Sequence, residues 1–397
     1  MPKKVDVKKI DELLTRGVAE VIDVKSLREK LLSGKKLRVK LGIDPTSPNL
    51  HLGRSVPLLK MRDFQELGHR VVFIVGDFTG VIGDTSDKES ERPMLDAKTI
   101  KRNLATYIKQ AGKIIDLKKA ELHYNSEWLK KLTYHDVAEH ANIFSIAEFI
   151  ARENIKKRLD AQKRVSLREV LYPLMQGYDS IAVKADVELG GTDQRFNLLA
   201  GREMQRHYGL PPQDVLMTNL VMGIDGRKMS SSWGNTVNLL DEPAQMFGKI
   251  MSMGDENIVP YFVHCTRVPL EAIEAYKKQM AYEHVNPRDI KMILAYEITR
   301  LYWGDKEAEK AKSNFVQAFQ KKEAPRDIET ISAKKGETYF SLLSRVGVMQ
   351  SKSELMRLFT QGGVHDFETD EVLRRDDRVC AGTIRVGKKH FFRVAVK

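Results

Sequence analysis

Cysteine is almost absent from this 397-residue chain, which holds only Cys265 and Cys380, far apart in the sequence. This usage argues against a disulfide scaffold, and no zinc-ligand spacing of cysteine or histidine occurs. Long apolar runs are lacking too, since none approaches the ~20 residues that span a bilayer. The first residues, MPKKVDVKKIDELL, have charges but no apolar segment of the secretory kind. We therefore expect a cytoplasmic protein with no membrane partner.

Two common nucleotide-binding motifs are also missing. The chain has neither the GxxxxGK[ST] of P-loop NTPases nor the GxGxxG of dinucleotide-binding folds. What it does have is an excess of positive charge, with 66 Lys and Arg against 54 Asp and Glu and a formal net charge of +12. This balance favours polyanionic partners, nucleic acid first, although many soluble proteins are basic.

The hydrophobic pattern predicts an α/β fold. Residues 37–43 alternate as a strand does, a helix pattern follows from Gly53, and RVVFIV at 70–75 is typical of a strand buried on both faces. Strand, helix and strand in succession form a βαβ unit, which predicts a Rossmann-like parallel sheet with helices on both faces. Further strands are predicted at 184–189 and 215–222, and helices over residues 1–35.

Length and changes of pattern predict three domains. We assign 1–222 to the Rossmann-like domain, with N-terminal helices and an insertion at about 121–165, and 223–335 to a loop and a helical domain. A small basic α+β domain follows at 338–397, with 11 Lys and Arg against 7 Asp and Glu. Its stretch SKSELMRLFTQGGV predicts a capped helix that ends in Gly-Gly. RNA binding and dimerisation are both open uses for such a domain.

Loops at the carboxyl ends of the strands are the expected ligand site, because ligands bind there in open parallel sheets. GIDPTSPNLHLGR places His51 and Gly53 at a helix start, where backbone N–H groups attract an anion. DGRKMSSSWGN carries Lys228 and three serines between glycines. Such a loop can close over a polyphosphate and stabilise the charge on a breaking phosphoryl bond. Alternatively, both stretches are ordinary polar turns.

The helix predicted over LYPLMQGYDSIAV supplies a third group of candidates. Tyr172, Gln176 and Asp179 fall at i, i+4 and i+7 and therefore share one narrow face. Polar side chains on an otherwise apolar helix must be satisfied either by protein partners or by a ligand. The residues alone leave both possibilities open.

HLGR and KMSSS resemble the two signatures of class I aminoacyl-tRNA synthetases, His-x-Gly-His and Lys-Met-Ser-Lys-Ser. Together, GIDPTSPNLHLG, GDFTGVIGD, YPLMQGYD and LGGTDQ resemble bacterial tyrosyl-tRNA synthetases from about residue 30 to 240, and more weakly beyond. The resemblance implies that ATP, entering with Mg²⁺ and without a dedicated protein metal site, activates L-tyrosine to tyrosyl-adenylate. The tyrosyl group then passes to the 3′ end of tRNA(Tyr).

The same resemblance implies the use of the other parts of the chain. The helical domain would bind the anticodon, and the last domain is similar to an RNA-binding module shared with a ribosomal small-subunit protein. Family members are homodimers, and we predict the interface at 121–165.

Individual residues also receive roles from the resemblance. Catalysis and phosphate handling would fall to seven residues of the two signatures: His51, Gly53, Arg54, Lys228, Ser230, Ser231 and Ser232. ATP would contact Gly42, Asp44, His51, Gly191, Asp193, Lys228 and Met229. Tyrosine would contact Thr79, Asp84, Tyr172, Gln176, Asp179 and Gln194, with Asp179 accepting from the phenol. Basic positions that assist pyrophosphate or the tRNA acceptor end are matched by Lys88 and Arg92.

Three positions depart from the family pattern. Arg54 stands where the second signature histidine packs on the nucleotide, and Ser231 stands where the second signature lysine lies. Lys40 replaces a tyrosine that touches the substrate phenol in the best-known members. We therefore expect phenol recognition to rest mainly on Asp179, and the mobile loop to act with one cation fewer.

Three other functions are open at this point. A tryptophanyl-tRNA synthetase would share the fold and both signatures, although Asp179 and GGTDQ favour tyrosine. An RNA-binding protein that has lost catalysis would account for Arg54 and Ser231, but it would have no reason to keep the remaining polar residues together. A small-molecule adenylyltransferase would leave the basic C-terminal domain unexplained.

Overall fold

A computed structural model describes residues 6–84, 94–282, 285–319, 328–349, 351–369, 371–387 and 390–396. The helices within these ranges are α1 (Val7–Thr15), α2 (Val24–Leu32), α3 (Leu52–Glu66), α4 (Thr79–Ile82), α5 (Ala97–Ala111), α6 (Ser126–Leu129), α7 (Tyr134–Asn142), α8 (Ile146–Ile150), α9 (Glu153–Asp160), α10 (Leu167–Ala182), α11 (Arg195–His207), α12 (Pro243–Met251), α13 (Ile258–Cys265), α14 (Leu270–Tyr282), α15 (Pro287–Trp303), α16 (Asp305–Phe319), α17 (Tyr339–Val346) and α18 (Lys352–Thr360). The strands are β1 (Val18–Ile22), β2 (Arg38–Ile43), β3 (Arg70–Val75), β4 (Glu121–Tyr124), β5 (Val187–Gly191), β6 (Asp214–Thr218), β7 (Glu329–Ala333), β8 (Val364–Asp366), β9 (Gly382–Val386) and β10 (His390–Val396). None of the helices in the described ranges is both long enough and apolar enough to cross a membrane.

The chain folds into two compact units, of which the first combines Met1–Leu240 with Met253–Ile290. Its sheet has the strand order β1-β6-β5-β2-β3-β4. Strands β2 to β6 pair in parallel, while β1 runs antiparallel to β6. Residues 71–75 of β3 are buried throughout, which explains their continuous apolar sequence. The prediction of a Rossmann-like parallel sheet is confirmed.

The N-terminal segment differs from its prediction. Residues 18–22 form β1, in which Val21 pairs with Leu216 of β6, whereas the sequence predicted only helices there. Helix α1 ends because Gly17 has a φ of 64°, in the left-handed region that favours glycine. The preceding Arg16 donates to the carbonyls of Phe262 and Thr266 at 3.2 and 3.0 Å. Contacts distant in sequence therefore override the local helical pattern.

Strand β4 was also not predicted. Glu121–Tyr124 lies in the segment that the sequence assigned to an insertion, yet it pairs in parallel with β3 at the sheet edge. The strand has only four residues, too few for its alternation to stand out. It places Asn125 directly after a carboxyl end of the sheet.

Helix α10 is held against its neighbours by close packing. It begins with a capping box in which Ser166 and Glu169 satisfy each other's backbone N–H groups. A Cβ at Gly177 would lie 3.4 Å from the backbone of Gly201 in α11, so glycine allows the two helices to approach closely. This packing fixes the helix that carries Tyr172, Gln176 and Asp179.

The second unit combines Asp241–Ser252 with Lys291–Lys397. Helices α12 and α16 pack together through Phe247 and Phe315, whose ring centres lie 5.4 Å apart. Its four-stranded sheet has the order β7-β10-β9-β8, and helices α17 and α18 contribute Leu342, Leu343 and Leu355 to the core. Strand β7 lies in a region that the sequence predicted to be mainly helical, and it pairs in parallel with β10.

The predicted capped helix of the C-terminal domain is confirmed. The side chain of Ser351 accepts a hydrogen bond from the backbone N–H of Glu354 at 3.1 Å, and α18 follows. Gly362, just beyond the helix end, has a φ of 65°. The serine at one end and the glycine at the other explain why this helix was readable from the sequence.

Candidate active site

A cavity of about 620 Å³ lies within the first unit, at the carboxyl ends of its parallel strands. All predicted site residues that the structure describes line this cavity: Gly42, Asp44, His51, Gly53, Arg54, Thr79, Asp84, Tyr172, Gln176, Asp179, Gly191, Asp193, Gln194, Lys228, Met229, Ser230, Ser231 and Ser232. Lys88 and Arg92 lie outside the described residues, and their roles stay predictions. Residues from four separate loops and from α10 thus meet in one place.

The first signature forms the start of α3. His51 is the N-cap residue in extended conformation, and its imidazole is buried. A Cβ at Gly53 would lie 3.2 Å from the His51 ring, so a side chain there would press on it. The backbone N–H of Gly53 points to the Met229 sulfur at 3.3 Å. The N-terminus of α3 and the second signature therefore meet at the cavity.

Arg54 extends toward the turn after β2. Its guanidinium donates to the hydroxyl of Tyr107 at 2.7 Å, the carbonyl of Asp44 at 3.2 Å and the hydroxyl of Thr46 at 3.1 Å. The planar fork of donors suits three acceptors that one ammonium group could not reach together. The sequence left the use of Arg54 open, and in the structure it braces a turn that lines the cavity.

The second signature is held by a buried asparagine. Asn235 accepts from the backbone N–H of Ser230 at 2.9 Å and donates to the Lys228 carbonyl at 3.1 Å. It also donates to Asp225 at 2.7 Å, and this bond, with the nearby Arg227, lowers the pKa of the Asp225 carboxyl to about 2. The loop is therefore pinned at its base.

Two polar contacts lie along this loop. The Lys228 ammonium pairs with Asp193 at 2.9 Å, and the hydroxyls of Ser230 and Ser232 lie 2.9 Å apart. Trp233, at the far end, lies under the guanidinium of Arg227, with 5.0 Å between the guanidinium carbon and the ring centre. Cation and hydroxyl donors thus face the cavity from a loop with an ordered base.

Asp44 stands at the centre of a buried hydrogen-bond network. It accepts from Thr79 at 2.7 Å and from the Tyr172 hydroxyl at 2.8 Å. A side chain at Gly76 would collide with both Asp44 and Thr79, so a glycine is needed beside this pair. Burial raises the pKa of the Asp44 carboxyl to about 6, against the opposing effect of the two hydrogen bonds. Burial also raises the pKa of the Tyr172 phenol, which therefore acts as a neutral donor.

Asp179 is a nearly completely buried carboxyl group in the cavity wall. The indole N–H of Trp128 donates to Oδ1 at 2.7 Å, and the Asn125 amide donates to Oδ2 at 3.3 Å. Burial raises the pKa of Asp179 to about 7, with Lys40 and the two hydrogen bonds opposing that rise. The group can thus be a carboxylate at neutral pH while it is surrounded by low-dielectric protein.

Beside these groups, Gln194 links two loops. Its amide donates to Asp84 at 2.7 Å, which joins the LGGTDQ turn to the loop after β3. In that turn Gly191 precedes Asp193, and a Cβ at Gly191 would come within 2.6 Å of the Asp193 carboxylate. The missing side chain at Gly191 makes room for the Asp193 carboxylate on this face of the cavity.

Four contributors to the site were missed from the sequence: Asn125, Trp128, Tyr107 and Asn235. Asn125 follows the short strand β4, and recognition of that strand would have placed it at the carboxyl edge of the sheet. Asn235 ends the stretch DGRKMSSSWGN, so its place beside the second signature was visible in the sequence, although its hydrogen bonds were not. The contacts of Trp128 and Tyr107 with the site depend on the folded chain.

The family model described as tRNA synthetases class I (W and Y) matches residues 32–320. The chain belongs to this family. It is similar to the tyrosine–tRNA ligase of Thermotoga maritima, at 44% identity over 97% of this chain and 96% of that one. It is also similar to tyrosine–tRNA ligase 2 of Clostridium acetobutylicum, at 42% identity over 98% of this chain and 100% of that one.

Solved structures agree with the fold. The tyrosyl-tRNA synthetase of Archaeoglobus fulgidus complexed with L-tyrosine has a TM-score of 0.62 at 23% identity, covering 77% of this chain and 100% of that one. A truncated mitochondrial tyrosyl-tRNA synthetase of Aspergillus nidulans has a TM-score of 0.65 at 21% identity, covering 78% and 94%. At these identities the likeness supports the class I synthetase fold alone.

Proposed function

We propose that this member of the family is a tyrosine–tRNA ligase, which makes tyrosyl-adenylate from tyrosine and ATP and transfers the tyrosyl group to tRNA(Tyr). The observation that carries the proposal is one cavity lined by both signatures and by the buried carboxyl of Asp179. Full-length relatives named tyrosine–tRNA ligase support tyrosine over tryptophan.

Tyrosine binds along α10. Asp179 accepts a hydrogen bond from the phenol, while Tyr172 and Gln176 hold the amino group together with Asp84 and Thr79. Gln194 lies near the carboxylate. Phenylalanine would leave the buried Asp179 carboxylate with only Trp128 and Asn125 as donors, and the loss of a hydrogen bond to a buried charged group is costly. Selection of the phenol hydroxyl follows from this cost.

ATP binds across the signature side of the cavity. The adenylate lies against Gly42 and Asp44, and the ribose hydroxyls donate to Asp193 beside Gly191. His51 and the N-terminus of α3 attract the phosphates, and Lys228 with Ser230 and Ser232 closes over them. Met229 keeps the loop against Gly53, which the 3.3 Å contact between them supports.

The first step needs no general base, since the tyrosine carboxylate is already the nucleophile. It attacks the α-phosphorus in line, the bond to the bridging oxygen breaks, and pyrophosphate leaves with its negative charge. Positioning and electrostatic stabilisation therefore carry the step. Lys228 and the helix N-terminus supply fixed positive potential where that charge develops. In the second step a ribose hydroxyl of the tRNA takes the tyrosyl group and AMP leaves.

Mg²⁺ enters with ATP as part of the substrate complex in this proposal. Mg²⁺ keeps several waters and binds through phosphate oxygens and one or two carboxylates, so the ATP phosphates can hold it without a protein cage. The described residues contain a group of potential ligands on α7, His135, Asp136 and Glu139, but none of the three lines the cavity. We assign no role to that group.

The enzyme acts as a homodimer in the cytoplasm in this proposal, with residues 121–165 as the interface. Support comes from large apolar side chains exposed to solvent there, since Tyr134 is 93% exposed and Ile146 is 62% exposed. Sedimentation velocity of Ile146→Asp is expected to show monomers where the unmodified chain shows dimers. Val372→Asp, an exposed apolar position in the second unit, is the matched control. A wild-type monomer would contradict the assignment.

Amino-acid-dependent ATP–pyrophosphate exchange tests the function directly. Tyrosine, phenylalanine and tryptophan are compared in parallel, with Lys228→Ala as the control. We expect exchange with tyrosine alone, and its loss in the variant. Exchange with tryptophan alone would assign the other branch of the family, and no exchange from folded protein that still binds tRNA would favour the RNA-binding alternative.

A further inference from the structure

A buried ion pair lies behind the wall of the cavity, between strands β2 and β5. Lys40 and Glu188 are register partners, and their side chains are 0% and 1% exposed. The ammonium nitrogen lies 2.8 Å from Oε1 of Glu188, 2.7 Å from the Ser180 hydroxyl and 2.9 Å from the backbone carbonyl oxygen of Gln176. These three acceptors match the three protons of an ammonium group. Since burial of two charges is costly and a hydrophobic pair could replace them, stability alone does not explain the pair.

Glu188 of this pair determines the orientation of the Gln176 side-chain amide, which lines the cavity. Oε1 of Glu188 accepts from the Gln176 amide nitrogen at 3.2 Å, while Oε2 accepts from Ser180 at 3.0 Å and from Gln213. A carboxylate only accepts hydrogen bonds, so the NH₂ group of Gln176 must face Glu188. The carbonyl oxygen of the Gln176 side chain is then the atom left for the cavity, and it is the acceptor that an ammonium group of a substrate needs.

Lys40 also acts electrostatically on Asp179. The groups that act on this carboxyl among the described residues include Trp128, Asn125, Lys40, Glu188 and Tyr172, and Lys40 is the cation among these five. Its positive charge favours the carboxylate form, whereas the negative charge of Glu188 opposes it. Lys40 reaches this position because it contacts Ser180, the neighbour of Asp179 on α10.

We infer that Lys40 and Glu188 are positioning residues for tyrosine recognition. Glu188 orients the side-chain carbonyl of Gln176 toward the amino group of tyrosine, and Lys40 keeps Asp179 in the carboxylate form that accepts from the phenol. The inference rests on the proposed function, because both contacts are to tyrosine. Neither side chain lines the cavity, so both act through residues that do. The nucleotide side of the cavity is outside their reach in this scheme.

The pH dependence of kcat/KM for tyrosine tests this inference, because a loss of stability alone would not shift it. The carboxylate of Asp179 is the acceptor, so kcat/KM for tyrosine falls as the pH drops below about 7, the pKa of this group. Removal of the Lys40 charge raises that pKa further. The fall in kcat/KM then begins at a higher pH.

The experiment compares Lys40→Met, and the double variant Lys40→Met/Glu188→Gln, with the unmodified enzyme in ATP–pyrophosphate exchange across pH. The double variant leaves no unpaired buried charge and guards against failure to fold. Arg158→Met/Glu169→Gln is the matched control, since that buried ion pair joins α9 to α10 at 2.5 Å and neither residue lines the cavity.

We expect the acid limb of kcat/KM for tyrosine to move up by about one pH unit in Lys40→Met, and by less in the double variant. The KM for tyrosine is expected to rise roughly tenfold in both, with the KM for ATP within about twofold. The control variant Arg158→Met/Glu169→Gln should leave both the acid limb of kcat/KM and the KM for tyrosine unchanged. An unchanged limb and tyrosine KM in folded variants would overturn the inference, whereas absence of tyrosine exchange in the unmodified enzyme would overturn the proposed function instead.

Discussion

Lys228 of the second signature forms an ion pair with Asp193, with 2.9 Å between the ammonium nitrogen and the carboxylate oxygen. Both side chains are partly exposed, at 27% and 21%, and such a pair contributes about 0.2–1 kcal/mol. We propose that Lys228 binds the ATP phosphates and Asp193 the ribose. ATP binding therefore separates the two residues at little cost, and each then contacts a different part of the nucleotide.

Lys228→Ala is expected to reduce the kcat of tyrosine-dependent exchange on the order of 10²–10³-fold, because a preorganised charge is lost where pyrophosphate leaves. The KM for tyrosine should stay within about twofold, since Lys228 does not contact that substrate. Asp193→Ala should instead raise the KM for ATP. Equal effects of Lys228→Ala on the KM values of both substrates would point to a general loss of structure.

Arg54 is expected to act by bracing the turn at Asp44 and Thr46. Arg54→Lys loses the fork of donors and should raise the KM for ATP roughly 3–10-fold, and Tyr107→Phe should show a smaller rise because it removes one hydrogen bond. The KM for tyrosine is the internal comparison. If Arg54→Lys were fully active, the observed contacts of the guanidinium would have no role in nucleotide binding.

Asn235 is expected to set the conformation of the second signature. Asn235→Ala removes the bonds to Ser230, Asp225 and the Lys228 carbonyl, and should lower the kcat of exchange about tenfold without a change in the KM for tyrosine. Asn235→Asp keeps an acceptor for the Ser230 N–H but places a second carboxylate against Asp225 and the Lys228 carbonyl, so it should lower kcat at least as much as Asn235→Ala. A rise in the KM for tyrosine with a normal kcat would contradict this, because it would show that Asn235 acts on tyrosine binding and not on the conformation of the signature loop.

Deletion of residues 320–397 is expected to separate the two steps of the reaction. The deleted part contains the four-stranded sheet and the basic sequence of residues 338–397, while the cavity lies wholly in the first unit. Exchange should persist, whereas aminoacylation of tRNA should fall about tenfold or more as phosphate contacts are lost. Undiminished aminoacylation would remove the RNA-binding role from this domain.

The sequence predicted which residues line the cavity, although their roles stay predictions, and it missed strands β1, β4 and β7 of the fold. Loops after strands carry recognisable residue types, such as His51 at a helix start and Lys228 beside serines, and the sheet brings them together by a general rule. The stripe of Tyr172, Gln176 and Asp179 was readable because helical spacing places them on one face.

What escaped prediction depends on contacts between distant segments. Strand β1 forms because it can pair with β6, and Lys40 can be buried because Glu188 lies opposite it on β5. A lysine within an alternating strand pattern reads as exposed, and only the folded chain shows that its partners are Ser180 and Gln176. Long-range pairing of this kind leaves no local trace.

The discrimination between tyrosine and phenylalanine in Asp179→Asn shows whether this carboxylate selects the phenol hydroxyl. The measurement is the ratio of kcat/KM for the two amino acids in ATP–pyrophosphate exchange, with the KM for ATP as the control for folding. We predict that the ratio falls about 10–100-fold, because the amide cannot offer the phenol a charged acceptor. An unchanged ratio, from a variant with a normal KM for ATP, would show that Asp179 does not select the phenol hydroxyl.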